Sequence, residues 1–136
     1  MKRFVFLFAG LLAASLAWGQ VKVVYHLNEG IPQASRAMDN IRNHLAADPA
    51  AKIVVVTHGA GIDFLLDGAT NQRGQSFVGA IGELSGRGVE FRVCNNTLVS
   101  RKIPKERVAM EAQIVPSGVA EVARLQAKEG FVYLRP

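Results

Sequence analysis

The chain has 136 residues, enough for one domain with a modest core and too few for two. Hydrophobic residues make up 49% and charged residues 20%, a composition typical of folded rather than disordered chains. The net charge is +5, and without Lys2 and Arg3 it falls to +3, with 14 basic against 11 acidic residues. A charge so small and scattered argues against a nucleic-acid partner.

The first nineteen residues have the pattern of a secretory signal peptide. Lys2-Arg3 precede an apolar run from Phe4 to Leu16, and Ala17-Trp18-Gly19 then places small residues around a cleavage position. The alternative is an uncleaved anchor, but a spanning helix needs about 20 apolar residues and this run is shorter. We therefore expect residues 1–19 to be removed and residues 20–136 to form one periplasmic domain with no membrane contact.

The first half of the mature chain alternates strand and helix patterns. Residues 21–26 are rich in β-branched side chains and predict a strand. Apolar residues then recur at helical spacing over 34–45, with Pro32 in the first turn and Asp48-Pro49 after the last. Residues 53–57 form a continuous, largely apolar run, which is typical of a parallel strand buried on both faces.

A loop with a short apolar piece at 62–66 comes next along the chain. Apolar residues from Phe77 to Leu84 predict a second helix, which ends at the glycines of 86–88. Residues 89–94 predict the third strand. Asn95, Asn96 and Thr97 can cap a short helix that runs to about Lys102.

The last part of the chain repeats the alternation once more. Residues 112–115 predict a short fourth strand, Ser117 caps a helix that stops at Gly130, and residues 131–134 predict a final strand. Strands that alternate with helices at this spacing indicate βαβ units. We therefore expect a three-layer α/β/α domain around a mainly parallel, five-stranded sheet.

Three chemically versatile side chains fall at the ends of predicted strands. His26 ends the first strand, His58 follows the second and Cys94 ends the third. Ligands of open parallel sheets bind beyond the carboxyl ends of the strands, and neighbouring strands lie ~4.8 Å apart. If the strands are adjacent, His58 and Cys94 approach each other and His26 lies one strand further away, with Asn95 and Asn96 as polar groups at the same edge.

Cys94 is the only cysteine, so no disulfide can form within the chain. It directly precedes a predicted helix start, where free N–H groups and a partial positive charge favour the thiolate, and a protonated His58 would favour it further. The alternative is that Cys94 is a small buried hydrophobic residue that closes a strand, as free cysteines most often are. The position of Cys94 alone leaves both interpretations open.

The histidines also have structural alternatives. His58 precedes Gly59-Ala60-Gly61, and its ring can simply bond a loop backbone while the glycines make the turn. His44 is expected on the surface of the first helix. A His/His/Cys metal site is conceivable from the ligand types, but strand-end spacing is not a metal motif. We therefore expect neither a metal nor a cofactor.

Three stretches of the mature chain carry a family signature. They are VVVTHG at 54–59, VEFRVCNNTL at 89–98, and a C-terminal stretch with PSGV at 116–119 and GFVYLRP at 130–136. In this order and spacing they resemble the DsrE/DsrF-like (YchN-like, TusD-related) family of sulfur-relay proteins. The resemblance extends over nearly the whole mature chain.

The resemblance implies a flavodoxin-like three-layer fold and assembly into homotrimers or homohexamers. In DsrE- and TusD-type members a cysteine at the end of the third strand carries sulfur as a persulfide, and Cys94 occupies the matching position. The implied partners are sulfur donor and acceptor proteins or small sulfur species. Two features depart from the family pattern: the predicted export, and the lack of a second cysteine near the C-terminus.

The leading hypothesis is a periplasmic sulfur-carrier or sulfur-binding protein that resembles a sulfurtransferase. Cys94 is its persulfide-accepting nucleophile, and the substrate-binding candidates are His58, His26, Asn95 and Asn96. One alternative is a non-enzymatic oligomeric module that binds a small ligand or a metal and has a structural cysteine. Another is a protein whose function is contact with other proteins. Thiol reactivity separates the first hypothesis from the others, and metal content identifies a metal-binding module.

Overall fold

The computed structural model describes residues 19–136. The predicted signal peptide lies outside these residues except for Gly19. No helix within the described part is long and apolar enough to cross a membrane. The strands are β1 Lys22–Leu27, β2 Lys52–Thr57, β3 Glu90–Cys94, β4 Ala112–Val115 and β5 Val132–Leu134. The α-helices are α1 Ile31–Ala47, α2 Val78–Gly86, α3 Asn95–Ser100 and α4 Gly118–Glu129, and 3₁₀ helices span Gly59–Leu65 and Lys105–Arg107.

The five strands form one sheet in the order β4-β3-β2-β1-β5, and every pair in it is parallel. The chain therefore adds β2, β3 and β4 in one direction from β1, and then returns to place β5 on the other side of β1. The predicted five-stranded, three-layer α/β/α architecture is confirmed, with a sheet that is parallel throughout.

The handedness of the crossovers explains how the helices divide between the two faces. Connections between parallel strands are right-handed, so steps in one direction place their helices on one face of the sheet. α1, α2 and α3 accordingly share one face. The step from β4 back to β5 runs in the opposite direction, so α4 packs on the other face, against β1, β2, β3 and β5.

Alternate side chains of the central strands supply the two cores. Tyr25 and Leu27 of β1 point toward α1, in a large core that also contains Phe64 and Phe91. Val24 points the other way, in a smaller core beneath α4. The remaining members of the smaller core are Val54, Val56, Val122, Leu125 and Phe131. This alternation decides which strand-end residues share a face with α4.

Three local details differ from the sequence-based expectations. The loop with the apolar piece at 62–66 is largely a 3₁₀ helix, Gly59–Leu65. α3 stops at Ser100 because Lys102 has a left-handed backbone with a φ of 55°. His44 is partly buried, since its Nδ1 lies 2.9 Å from the hydroxyl of the buried Tyr25. A buried tyrosine hydroxyl needs such a partner.

Candidate functional site

The strand-end residues meet at the carboxyl edge of the sheet, on the face covered by α4. β2 lies between β1 and β3, so His58 stands between His26 and Cys94. Thr57 pairs with Leu27 on one side and with Val93 on the other, which brings His58 and Cys94 to the same level. The side chains of His26, His58 and Cys94 alternate with the buried residues of the α1 core and therefore share the other face.

Cys94 closes β3 and is the N-cap residue of α3, with only 5% of its surface exposed. Burial raises the pKa of its thiol. Hydrogen bonds to the sulfur from the Gly118 N–H, the Thr97 hydroxyl and the N–H groups of Thr97 and Asn96 lower it by more. The pKa of Cys94 is therefore below its ordinary value. These donor groups of Gly118, Thr97 and Asn96, here called the Cys94 pocket, favour the thiolate.

Gly118 brings the first turn of α4 against this pocket. A Cβ atom at position 118 would lie 3.0 Å from the Cβ of His58 and 3.3 Å from the Cβ of Cys94. It would also lie 3.1 Å from the carbonyl oxygen of Thr57. Glycine therefore permits the helix N-terminus to approach both side chains, and Ser117 caps the helix by accepting a hydrogen bond from the Ala120 N–H at 3.3 Å.

Thr97 links the Cys94 pocket to the loop after β2. Its hydroxyl oxygen accepts a hydrogen bond from the Gly59 N–H at 2.9 Å. The hydroxyl proton is thereby free to point at the Cys94 sulfur. The same loop lies close to the end of β1 at Gly61, where a Cβ would lie 2.1 Å from the Leu27 carbonyl oxygen, so only glycine permits this approach.

The two histidines form a hydrogen-bonded pair that continues to a tyrosine. His26 Nε2 lies 2.7 Å from His58 Nε2, and the ring centroids are 4.8 Å apart with the ring planes 26° from parallel, so the rings meet edge to edge. His26 Nδ1 lies 2.6 Å from the hydroxyl of Tyr133 on β5. The His58 ring is therefore bonded to His26 and not to a loop backbone, while the glycines after it make the turn, Gly59 with a φ of 55°.

Both imidazoles are held neutral by their surroundings. Burial, the neighbouring His58 and the positive charge of Arg135 lower the pKa of His26, in that order of size. Burial also lowers the pKa of His58. Arg135 is paired with Glu29, whose Oε1 lies 2.6 Å from an Arg135 nitrogen.

The two asparagines predicted for this edge have different environments. The Asn95 side-chain oxygen is buried and accepts no hydrogen bond from the described residues. A buried acceptor without a donor is a position that a bound ligand can satisfy. Asn96 is exposed, and it contributes to the Cys94 pocket through its backbone N–H.

The sequence patterns do not indicate three contributors to the site: Tyr133, Gly118 and Thr97 in its role at the sulfur. Tyr133 belongs to a strand whose neighbour is β1, the first in the chain. Gly118 follows the Ser117 cap and Thr97 lies at the start of α3, and neither position by itself indicates a contact with Cys94. The PSG motif before α4 was the available signal, since a small residue just after a helix cap permits close approach of another element.

The described residues contain no group of three or more His, Cys, Asp or Glu side chains that could hold a metal ion. His26, His58 and Cys94 share an edge without forming such a cluster. The geometry within residues 19–136 is that of a buried cysteine at the starts of two helices, beside a hydrogen-bonded pair of imidazoles. This arrangement suits nucleophilic attack by sulfur.

Comparison with known proteins identifies relatives that match nearly all of the described part of the chain. The profile of the DsrE/DsrF-like family matches residues 21–135. The solved structure of a protein of unknown function, MTH1491 from Methanobacterium thermoautotrophicum, is similar at 30% identity with a TM-score of 0.75. The YchN protein of E. coli is similar at 12% identity with a TM-score of 0.71. Each alignment covers 86% of this chain and 100% of the other. No curated protein matches the sequence.

Proposed function

This chain belongs to the DsrE/DsrF-like family, and from that premise we propose that it is a periplasmic sulfur carrier whose Cys94 accepts sulfur as a persulfide. Membership in the family supports a role related to sulfur relay. The particular role of Cys94, the compartment and the partners are the content of the proposal.

The position of the buried Cys94, at the start of α3 and against the first residue of α4, is the observation that carries the proposal. The Gly118 N–H, the Thr97 hydroxyl and the N–H groups of Thr97 and Asn96 are therefore the donors near the sulfur, at the starts of two helices, and they lower the pKa of the thiol. A structural cysteine needs no such donors, because a thiol is a weak acceptor and is stable in apolar surroundings. A nucleophilic thiolate does need them.

The proposed reaction moves one sulfane sulfur and leaves the overall oxidation level unchanged. The Cys94 thiolate attacks the outer sulfur of a donor persulfide, R–S–SH. A sulfur–sulfur bond forms at Cys94, the bond between the two donor sulfurs breaks, and the donor leaves as the thiolate R–S⁻. In the second half of the cycle an acceptor thiolate attacks the outer sulfur of the Cys94 persulfide and regenerates the Cys94 thiolate.

The other predicted site residues lie at the same edge of the sheet as Cys94. His58 lies beside Gly118, and His26 lies behind His58. The buried oxygen of Asn95, which accepts no hydrogen bond within residues 19–136, offers an acceptor for an S–H or N–H group of the sulfur donor, and Asn96 beside it is exposed. The donors and acceptors are proteins or small molecules that carry sulfane sulfur.

Sulfur loading of the purified protein tests the role of Cys94. Incubation with polysulfide should add the mass of one sulfur atom, and a following reduction should remove it. Cys94→Ser should not gain this mass, although it should keep the fold and the oligomeric state. A native protein that gains no sulfur, and whose Cys94 reacts with iodoacetamide only after denaturation, would instead have a structural cysteine.

Export has a separate test. Trp18 is the only tryptophan and lies within the proposed signal peptide. Protein recovered from the periplasm after cleavage behind Gly19 should show emission from Tyr25 and Tyr133 and none from tryptophan. Tryptophan emission from that protein, or its recovery only from the cytoplasm, would contradict the proposed processing.

A further inference from the structure

We infer that Tyr133, His26 and His58 form a proton relay that serves sulfur transfer at Cys94. Tyr133 and His26 act through His58, which exchanges a proton with the sulfur that leaves or enters. The inference rests on the proposed function of Cys94, and it adds a second set of residues and a second chemical requirement to that function.

The three side chains form a continuous chain of hydrogen bonds across two neighbouring pairs of strands. The Tyr133 hydroxyl lies 2.6 Å from His26 Nδ1, and His26 Nε2 lies 2.7 Å from His58 Nε2. Both distances are those of good hydrogen bonds. His58 Nδ1 makes no hydrogen bond with the described residues, so it is the open end of this series of hydrogen bonds.

Two neutral arrangements of protons satisfy these contacts. In the first, Tyr133 donates to His26 Nδ1, His26 donates from Nε2 to His58 Nε2, and His58 carries a proton on Nδ1. In the second, each bond is reversed, and His58 Nδ1 is an acceptor. A shift of protons along these hydrogen bonds therefore converts His58 Nδ1 from a donor into an acceptor without forming an imidazolium ion.

The two ends of this series of hydrogen bonds, Tyr133 and His58, lie in suitable places for the exchange of protons. Tyr133 is 45% exposed, so its hydroxyl can exchange protons with water. At the other end, His58 and Cys94 flank the same glycine, Gly118. The lowered pKa values of His58 and His26 fit a relay of neutral rings, and the charge of Arg135 contributes to the shift at His26.

The relay balances the protons of both halves of the cycle. During loading, His58 Nδ1–H protonates the leaving thiolate R–S⁻ to R–SH. His26 then passes a proton to His58, and Tyr133 passes one to His26. Water replaces the proton that Tyr133 has lost. During unloading, His58 Nδ1 takes the proton of the acceptor thiol. The protons along the hydrogen bonds then shift back, and Tyr133 releases a proton to water. Loading and unloading thus restore each other's starting arrangement.

The test compares reagents that differ in their need for a proton. An alkyl persulfide releases a basic thiolate, benzenethiosulfonate releases a weakly basic sulfinate, and iodoacetamide releases iodide. Tyr133→Phe should slow loading from glutathione persulfide by about 10-fold or more, because a positioned general acid contributes about 100-fold or more. The rates with benzenethiosulfonate and iodoacetamide should stay unchanged. His26→Gln should behave in the same way.

Tyr25→Phe is the matched control. Tyr25 also bonds a histidine, His44, but on the α1 face of the sheet, so its loss should leave all three rates unchanged. Equal slowing of all three reagents in Tyr133→Phe would overturn the relay, and so would unchanged loading from the persulfide. In both cases the wild-type protein still gains sulfur, whereas failure of the proposed function leaves the wild type without sulfur.

Discussion

Thr97 shows how a single hydroxyl connects the loop after β2 with the nucleophile. Its oxygen accepts a hydrogen bond from the Gly59 N–H, which leaves its proton available to the Cys94 sulfur, and the hydroxyl lowers the pKa of the thiol. A hydrogen bond to a charged acceptor is worth about 1.5–3 kcal/mol. The loss of this donor should therefore be visible in the acidity of the thiol.

Thr97→Val should raise the pKa of Cys94, by about 1 unit if the lost bond is worth about 1.5 kcal/mol. The pH dependence of the iodoacetamide reaction measures this pKa. Thr97→Ser keeps the hydroxyl and should restore the wild-type profile, and Thr70→Val, at an exposed position, should change nothing. A Thr97→Val profile identical to that of the wild type would show that the hydroxyl does not stabilise the thiolate.

Because of His26 and His58, the folded protein should lose stability at acid pH. Burial lowers the pKa of each ring in the folded protein, while unfolded histidine titrates near 6.5. The unfolded state therefore binds more protons below about pH 6.5, so the free energy of unfolding should fall as pH drops below that value. Urea denaturation from about pH 7.5 to 5.5 measures this fall.

The double variant His26→Gln/His58→Gln should flatten this dependence, because glutamine does not titrate. The comparison stays above the range in which most carboxyl groups titrate, so the histidines dominate the change. An equally steep fall in the double variant would show that other groups cause it.

At the level of elements, α4 places a helix N-terminus against the Cys94 pocket. Its position is held by an ion pair between Glu121 on α4 and Arg92 on β3, with Arg124 bonded to the same carboxylate at 2.7 Å. Hydrogen bonding to Arg124, with a smaller contribution from Arg92, lowers the pKa of Glu121 although burial raises it. The negative carboxylate also lies near the positive end of the helix, which is a favourable arrangement.

Gly118→Ala should displace this helix start. The added methyl group would meet His58, Cys94 and the Thr57 carbonyl at 3.0–3.3 Å, and a backbone oxygen cannot easily give way. We expect a loss of stability of about 1–3 kcal/mol and a higher thiol pKa, since the Gly118 N–H moves away from the sulfur. Chemical denaturation and the pH profile of alkylation measure the two effects.

Gly82→Ala is the matched control for this substitution. Gly82 lies inside α2, and a Cβ there meets nothing within 4 Å. Alanine is also the better helix former by about 1 kcal/mol. Gly82→Ala should therefore be neutral or stabilising and leave the thiol unchanged. Similar losses in both variants would show that close packing at Gly118 is not what matters.

At the level of the whole molecule, the protomer leaves several large apolar side chains in contact with solvent. Val78, Val99, Met110 and Val119 are each at least 60% exposed. A small domain buries a limited fraction of its surface, so a cyclic assembly adds useful apolar burial. We expect the mature protein to form a homotrimer or a homohexamer, as the family resemblance implies.

Light scattering at micromolar concentration measures the assembly directly. The expected mass is three or six times that of one mature chain, and it should be the same for Cys94→Ser, because a buried strand-end residue is not part of the outer surface. A mass equal to one chain would contradict the prediction.

The sequence predicted most of the fold because its signals are local. The β-branched runs, the helical spacing, Pro32 in the first turn of α1 and the Ser117 cap all depend on neighbours within a few residues. The alignment of His58 with Cys94 also followed from a general property, since parallel strands bring their carboxyl ends to one edge. Local signals predict helix ends less well, and the glycines after His58 indicate a loop where the structure has a 3₁₀ helix.

The amino-acid sequence by itself determined the strands, the helices and the family, because each depends on short-range patterns or on motifs in a fixed order. Only the tertiary structure decided the strand order, and with it the partners of the site. β5 returns beside β1 and brings Tyr133 to His26, while α4 crosses the opposite face and brings Gly118 to Cys94. These contacts join residues far apart in the chain, so they depend on the direction of a crossover that no local pattern encodes.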